Sequence, residues 1–177
     1  MKNNCPNKGL LRSLYVLIIC AMVSSCGYHL GSIMHPQVKT IAIATVKNDT
    51  IEPEVSAWLR QSLAEQFEFD GSLKVKELSE ADCILYARVY DVETTSTSTS
   101  SFDGNQTFST AEFGVAVKVE YTVIIPGRSK PLVELREVEG EAKYQVLADN
   151  NIARRRGVQQ ACREVARQAV IYVVEAW

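Results

Sequence analysis

Two long stretches in which apolar and polar residues alternate constrain the fold of this chain more than any other feature. The first runs from Cys83 to Glu93 and the second from Gly114 to Ile125. A period of two places the apolar side chains of a strand on one face of a sheet and the polar side chains on the other. The buried face is predicted to hold Leu85, Ala87, Val89, Val115, Val117, Val119, Tyr121 and Val123. The sequence therefore predicts two strands of a sheet that has one polar face.

The segment between these strands is rich in serine and threonine from Thr94 to Ser101 and contains the turn-forming pair Asp103-Gly104. An Asp-Gly pair is a strong hairpin signal, and Ser/Thr flanks are compatible with extended arms. Two interpretations stay open for residues 94–110. They are either the arms of a long hairpin or a disordered polar loop.

Further strands are predicted around this pair. Residues 40–46 alternate as a buried strand, and residues 73–78 are typical of a short one. The last strand, 132–146, changes phase near Arg136, which predicts a β-bulge. Beyond the bulge, Val138, Ala142, Tyr144 and Val146 are expected to face the core.

Two amphipathic helices are predicted. The first follows Asn48-Asp49-Thr50 and Pro53 and ends near Asp70-Gly71, and the second begins after Asp149-Asn150. Their apolar stripes comprise Val55, Leu59, Leu63 and Phe67 in the first helix, and Val158, Cys162, Val165, Ala169, Tyr172 and Ala176 in the second.

Apart from the short strand 73–78, the elements follow the order β-α-β-β-β-α, which predicts an α+β fold. Because each helix has one stripe to bury, both are expected on the same face of a mainly antiparallel sheet, as a two-layer α/β sandwich. A single domain is predicted over residues 39–177.

The first 25 residues are typical of an export signal. Lys2, Lys8 and Arg12 precede an uncharged apolar run of ten residues, 14–23, which is too short to span a bilayer. Val23-Ser24-Ser25-Cys26 resembles a bacterial lipobox, in which small residues admit a peptidase and the thiol accepts a diacylglyceryl group. The alternatives are an ordinary secretory signal and an uncleaved anchor with an incidental cysteine.

The lipobox predicts a signal peptide over 1–25, lipid attachment at Cys26 and a lipidated tether over 26–38. A diacylglyceryl group and an amide-linked acyl chain would together give three acyl chains. Stable membrane anchoring takes two lipid chains or one chain and a second membrane-binding signal. Gly27 follows the lipidated cysteine, where an aspartate would be typical of retention in the inner membrane, so the outer membrane is favoured. Cys83 and Cys162 stay in the domain, and two buried thiols are favoured over a disulfide.

Charge and motifs limit the function classes. The mature chain carries 16 Lys and Arg against 21 Asp and Glu, which argues against a nucleic-acid partner. Both histidines, His29 and His35, lie in the tether, where no rigid surroundings would orient a general base. The domain shows no nucleophile, phosphate-loop or metal-binding motif. We therefore expect no catalytic residues, no metal, no cofactor and no enzymatic activity.

An arginine cluster at the start of the last helix comprises Arg154, Arg155 and Arg156, with Arg163 and Arg167 beyond it. Cations at this end of a helix are disfavoured by the helix dipole. One interpretation is a site for anionic groups. The other is a solvated helix face whose charges pair with Glu164 and its neighbours.

Several short motifs resemble the LptE family of lipopolysaccharide-assembly lipoproteins. They are Cys26-Gly27-Tyr28-His29-Leu30 at the mature start, 39–43 (KTIAI), 48–50 (NDT) and 80–85 (EADCIL). No single motif is diagnostic, and the resemblance rests on their order and spacing over most of residues 26–177.

The resemblance implies a two-layer α/β sandwich anchored to the periplasmic side of the outer membrane. It further implies a plug that sits inside the LptD-type β-barrel, helps to assemble it, and contacts lipopolysaccharide. Basic residues on exposed surface bind lipopolysaccharide in some members, and the candidates here are Arg88, Lys118 and Lys143. The alternative is a pilotin-like or chaperone lipoprotein of another secretion system.

Replacing Cys26 tests the anchor. We expect Cys26→Ala to abolish incorporation of labelled fatty acid, because the thiol is the acceptor of the diacylglyceryl group. The measurement is metabolic acyl labelling followed by outer-membrane fractionation, with the wild-type chain as control. Equal labelling of both chains would contradict lipid attachment at Cys26.

Overall fold

The computed structural model describes residues 38–96, 112–145 and 149–175. Some of the sequence predictions lie outside these residues. They are the signal segment 1–25, lipid attachment at Cys26, the tether before Val38, the turn at Asp103-Gly104, and the placement of Val146 and Ala176.

The described residues form six strands and two helices. The strands are β1 (Thr40–Ile43), β2 (Lys47–Asn48), β3 (Lys74–Val75), β4 (Cys83–Ser96), β5 (Glu112–Ile124) and β6 (Val133–Gln145). The helices are α1 (Val55–Asp70) and α2 (Asn150–Glu175). The predicted principal elements are thus present, but the strand predicted over 40–46 ends at Ile43, and a separate strand, β2, begins just beyond the predicted range at Lys47. β1 and β2 pair with β4 at separate places.

The strands form one mixed sheet in the order β3-β1-β4-β5-β6, with β2 also paired to β4. β1 lies parallel to both β3 and β4, and β2 lies parallel to β4. The long pairings, β4 with β5 and β5 with β6, are antiparallel. The α+β class and the packing of the helices on the sheet are confirmed.

The β4–β5 pair has the predicted alternation. Leu85, Val89, Val117 and Val123 are 0% exposed, and the other predicted inward residues are also buried. β4 extends to Ser96 and β5 begins at Glu112, so the arms of the predicted hairpin are strands as far as the described residues reach.

Two irregularities change the phase of the strands. One lies in β4 between Val89 and Asp91, and the other lies opposite Tyr121 and Val123, on β6 just before Arg136. The second is the predicted bulge, because the register passes from Arg136 to Val133 while β5 advances by two residues. The first was not predicted.

Helix α1 buries its predicted stripe. Val55, Leu59, Leu63 and Phe67 are at most 2% exposed. The helix ends at Gly71, whose φ of 74° is a left-handed conformation that glycine adopts without steric cost, and its N–H donates to Phe67 O at 3.0 Å.

Helix α2 begins as predicted, with Asp149 Oδ1 accepting from the N–H of Asn151 at 2.8 Å. Its stripe is confirmed from Val158 to Ala169, but the inclusion of Tyr172 is wrong because its side chain is 47% exposed. Val173 occupies the core instead. The guanidinium of Arg136 lies 5.4 Å from the Tyr172 ring centroid, a cation–π contact on the flank of the helix.

The helices share the buried face of the sheet and contact each other. Gly140 in β6 and Gly157 in α2 allow α2 to lie close to the strands. A Cβ at Gly157 would be 2.7 Å from the Tyr144 ring, and one at Gly140 would be 2.7 Å from Val165 N and closer still to Ala161 O. Ala161, Val165 and Tyr144 are themselves buried, so a methyl group at either glycine would have to displace closely packed atoms.

Asp82 joins the start of β1 to the start of β4. Its Oδ2 accepts from the N–H groups of Lys39 and Thr40, each at 2.9 Å, and from Thr40 Oγ1 at 2.8 Å. Thr40 Oγ1 accepts in turn from the N–H of Asp82 at 2.9 Å. The bond from Lys39 N–H is the main cause that lowers the pKa of Asp82 below its ordinary value.

Gly140→Ala tests the close packing of α2 on β6. We expect it to lower the free energy of unfolding by about 2–3 kcal/mol, because backbone atoms of α2 must move to admit the methyl group. The measurement is urea unfolding followed by circular dichroism. Glu141→Ala, on the exposed face of the same strand, is the control and should change stability by less than about 0.5 kcal/mol. Equal stability of the two variants would contradict this packing.

Candidate functional site

The face of the sheet opposite the helices carries the predicted site residues, and we call it the open face. Its polar residues include Tyr86, Arg88, Asp91 and Glu93 from β4, Glu112, Lys118, Glu120 and Thr122 from β5, Glu137, Glu139, Glu141 and Lys143 from β6, and Lys47 from β2. The predicted placement of Arg88, Lys118 and Lys143 on one sheet face agrees with the observed alternation.

Arg88 is bound by two carboxylates. Its Nε donates to Glu120 Oε1 at 2.6 Å, and its Nη1 donates to Asp49 Oδ2 at 3.1 Å. Glu120 is the register partner of Arg88 on β5. Asp49 directly follows β2, and Lys47 of β2 is the register partner of Arg88 on the other side of β4. The hydrogen bond that Arg88 donates to Glu120 is the main cause that raises the pKa of Arg88 above its ordinary value.

Lys118 is bound in the same way. Its Nζ donates to Glu93 Oε1 at 2.7 Å and to Asp91 Oδ2 at 3.1 Å. These contacts raise the pKa of Lys118, with Glu93 as the main cause, and Lys118 lowers the pKa of Asp91. Both predicted cations in the middle of the sheet therefore already have carboxylate partners within the chain.

The irregularity at Tyr90 places Asp91 on the open face. Strict alternation after the buried Val89 would turn Asp91 toward the core, where an unpaired carboxylate is costly. The extra residue shifts the phase, so that Asp91 lies opposite Lys118 and Val92 lies opposite the buried Val117. These partners of Lys118 were not predicted from the sequence. An aspartate at an inward position was the signal that could have revealed them.

Lys143 differs from the other two candidates. It lies opposite Gly114, and no ion pair to it is formed by the residues that the structure describes. Arg88 lies at the level of Glu120 on β5, and Lys143 at the level of Gly114, six residues away. At about 3.4 Å per residue this separates them by about 20 Å along the strand. The three candidates share a face but do not converge on one point.

The open face is acidic as a whole. Its charged residues named above comprise seven carboxylates, Asp91, Glu93, Glu112, Glu120, Glu137, Glu139 and Glu141, against four cations, Arg88, Lys118, Lys143 and Lys47. Glu137, Glu139 and Glu141 have no cationic partner within the described ranges. The potential over β6 therefore favours cationic groups over anionic ones.

Two grooves cross the open face. One, with a volume of about 480 Å³, runs between Glu93, Glu139, Glu141 and Lys143. The other, of about 420 Å³, lies beside Tyr86, Thr122 and Leu135. Leu135 is 64% exposed and Tyr86 44% exposed, so the second groove combines apolar side chains with the Arg88–Glu120 pair.

The arginine cluster is partly explained by contacts between the helices. Arg154 pairs with Glu52, and Arg155 pairs with Glu54 while its guanidinium lies 5.7 Å from the Trp58 ring centroid. Glu52 and Glu54 directly precede α1, so these pairs tie the beginnings of the two helices together. For Arg154 and Arg155 the partners lie outside the helix that was expected to supply them.

The reactive groups of the core are buried. Cys83 and Cys162 are free thiols, as favoured by the sequence analysis, and burial raises the pKa of each to about 12. Both are protonated at neutral pH and are poor nucleophiles. Burial also raises the pKa of Tyr121 to about 12, and its hydroxyl has no hydrogen-bond partner among the described residues.

Two features are absent from the described residues. No helix among them is sufficiently long and apolar to span a membrane. No three His, Cys, Asp or Glu side chains in the same ranges are grouped so as to hold a metal ion.

Comparison with known proteins identifies the fold. No family model and no curated protein matches the chain. Among solved structures, it is similar to a protein of Xanthomonas campestris assigned to the family DUF330, with 14% identity and a TM-score of 0.53 over 81% of this chain and 89% of that one.

Two further structures have a similar degree of likeness. A minor lipoprotein from Acinetobacter baumannii is 12% identical with a TM-score of 0.51, over 78% of this chain and 94% of that one. A hypothetical protein from Chlamydia trachomatis is 11% identical with a TM-score of 0.51, over 77% and 98%. The fold is therefore one that a bacterial lipoprotein also adopts, and at these identities the likeness concerns the fold alone.

Lys118→Ala tests the charge arrangement of the open face. We expect the variant to be less stable than the wild type at pH 7, because Asp91 and Glu93 then lose their shared cation. The lowered pKa of Asp91 means that this stabilisation is present above the unfolded-state pKa and is lost as the pH falls through the folded-state value. The difference should therefore shrink on acidification toward pH 3.

The measurement is the midpoint of urea unfolding at both pH values. Lys143→Ala removes a lysine without a carboxylate partner among the described residues and is the matched control. A loss of stability that is equal at pH 7 and pH 3, or equal for the two variants, would contradict the assignment.

Proposed function

We propose that this protein is a non-enzymatic outer-membrane lipoprotein of the LptE type. In this role it plugs an LptD-type β-barrel, helps to assemble it, and assists the transport of lipopolysaccharide to the outer leaflet. The proposal combines the lipobox ending at Cys26 with the motifs that resemble the LptE family. The structural observation that carries it is the polar open face on a sheet whose other face is fully used by two helices.

The motifs of the resemblance have defined structural roles. Asp82, from the motif 80–85, binds the backbone of Lys39 and Thr40 in the motif 39–43. Asn48 organises the segment before α1, accepting from the N–H of Thr50 at 3.0 Å and donating to Glu52 O at 2.7 Å. Motifs that are far apart in the chain are thus in contact in the fold, which supports reading them as one pattern.

The open face is suited to contact with a hydrated, polar surface. The lumen of a large transmembrane barrel is polar and hydrogen-bonding. A plug that presents paired charges and hydroxyl groups can replace water contacts there without burying unpaired charge. Arg88 and Lys118 have this character because their carboxylate partners come from the same chain.

The same pairs bear on lipopolysaccharide binding. A phosphate group that approaches Arg88 or Lys118 has to compete with two carboxylates at each position. Lys143 has no such competitor among the described residues. Within the proposed set of three, Lys143 is therefore the residue best able to contact an anionic lipid group.

Isolation of the complex tests the proposed function. The full chain with a C-terminal affinity tag, extracted in mild detergent, is expected to co-purify with a very large β-barrel protein, identified by mass spectrometry. Recovery of a secretin instead would support the pilotin-like alternative. A preparation without any barrel partner would contradict the proposal.

Trimming the hairpin tests which part of the chain makes the contact. We expect deletion of residues 95–109 to reduce barrel recovery, because the Ser/Thr hydroxyls of this segment suit contact with a polar lumen. Unchanged melting of the variant is the control for folding. Undiminished barrel recovery with the deletion would exclude the hairpin as the contact, while leaving the partner itself established.

A further inference from the structure

Strand β6 lies at the end of the sheet and pairs with β5 alone among the described strands. Val133–Gln145 is a long edge, whereas the strand at the other end of the sheet, β3, has two residues. A long edge presents a row of backbone donors and acceptors that can pair with another strand. Proteins recognise extended segments by this kind of strand addition.

The register shows which residues of β6 point outward. Leu132 N–H donates to Val123 O at 2.7 Å, so Val123 directs its backbone groups toward β6. Alternate residues of an antiparallel strand point the same way. Val119, Val117 and Val115 therefore also face β6, and their partners Val138, Gly140 and Ala142 face β5.

The intervening residues, Glu137, Glu139, Glu141 and Lys143, consequently direct their backbone N–H and C=O groups to the free edge. One contact agrees with this outward direction of the backbone groups. Glu139 O accepts from Gln168 Nε2 of α2 at 3.2 Å, a side-chain contact in place of a neighbouring strand. No backbone–backbone hydrogen bond to these four outward residues is present within the described ranges.

The outward residues are also the ones that carry charge on the open face. Glu137, Glu139 and Glu141 are exposed, and their side chains lie on the same face as their register partners Glu120 and Lys118. A strand added to this edge would place its own side chains about 5 Å from them, directly opposite on the same face. Cationic residues at alternate positions would then meet each glutamate.

A second copy of β6 fits this edge poorly. In an antiparallel arrangement centred on Gly140, Glu139 of one copy would lie opposite Glu141 of the other. Like charges directly opposite each other destabilise a strand pair. The charges of the edge thus select against self-association and in favour of a basic segment.

We propose that the free edge of β6 binds an extended segment of another protein, with lysine or arginine at alternate positions, by adding it to the sheet as an antiparallel strand. Backbone pairing to Glu137, Glu139 and Glu141 supplies the attachment, with the added strand replacing Gln168 Nε2 at Glu139 O. The three carboxylates supply the selection for basic residues. The inference concerns a surface of the described domain and does not depend on the proposed function.

The test uses the purified full chain and nine-residue peptides. The probe alternates lysine with threonine, and its counterpart alternates glutamate with threonine. We expect the lysine peptide to bind at least about tenfold more tightly by isothermal titration, because three cross-strand charge pairs change sign. Joint substitution of Glu137, Glu139 and Glu141 by Gln should weaken binding about tenfold. The charge-matched control replaces Glu65, Glu68 and Glu77 by Gln and should leave binding unchanged.

Backbone pairing is tested separately from charge. In the expected antiparallel register the lysine residues of the peptide direct their N–H groups to β6. N-methylation of the lysine amides should abolish binding, whereas N-methylation of the threonine amides should not. Glu141→Pro removes one outward N–H, which an edge strand tolerates, and should weaken binding without altering the circular dichroism spectrum.

Hydrogen exchange by NMR supplies a direct readout. The amides of residues 137, 139 and 141 should exchange faster than those of 138, 140 and 142 in the free chain, and should become protected when the lysine peptide binds. The proposal is overturned if neither peptide binds, if both bind equally, if the control variant loses as much affinity as the edge variant, or if N-methylation has no effect.

Discussion

The contact between α2 and the β5–β6 pair sets the arrangement of the whole domain. Gly140 and Gly157 bring the helix so close to the strands that neither position has room for a methyl group. With α2 in this position, α1 lies against it, and Cys162 is buried beside the carbonyl of Val55. The two helices together use up the apolar face of the sheet. Every polar group on the opposite face then has to be satisfied by its neighbours on that face or by solvent.

The charges of the open face are organised by strand. In the middle of the sheet each cation has two carboxylates, Glu120 and Asp49 at Arg88, and Asp91 and Glu93 at Lys118. Toward the edge, the carboxylates of β6 have no such partners in the described part of the chain. The central charges therefore stabilise the open face internally, while those of β6 are available to a neighbour. This division separates residues that serve the fold from residues that can serve recognition.

Much of this fold follows from the sequence pattern. The alternation of β4 up to Val89 and of β5, the stripe of α1 and the bulge near Arg136 are all local signals, and the structure agrees with each of them. Tyr172 was misplaced because helical steps of three and four residues from Ala169 reach both Tyr172 and Val173. In the structure Val173 is buried, and Tyr172 lies beside Arg136 of β6 on the flank of the helix.

Features that depend on distant partners were harder to predict. The bond between Asp82 and Thr40 joins residues 42 positions apart, and Asp49 reaches Arg88 across 39. Such pairs depend on strand order, and strand order depends on loops that carry no periodic signal. The basic candidates Arg88 and Lys118 were predicted from the sheet face on which they lie, but their carboxylate partners could be identified only once the strand register was known.

The same limit applies to function, because structures with 11–14% identity share this fold and a fold alone does not specify an activity. Asp82 and Asn48, which belong to the LptE-like motifs, act within the framework. The residues that distinguish one protein with this fold from another must therefore be ones that do not hold the fold together. In this chain the outward residues of β6 are such residues.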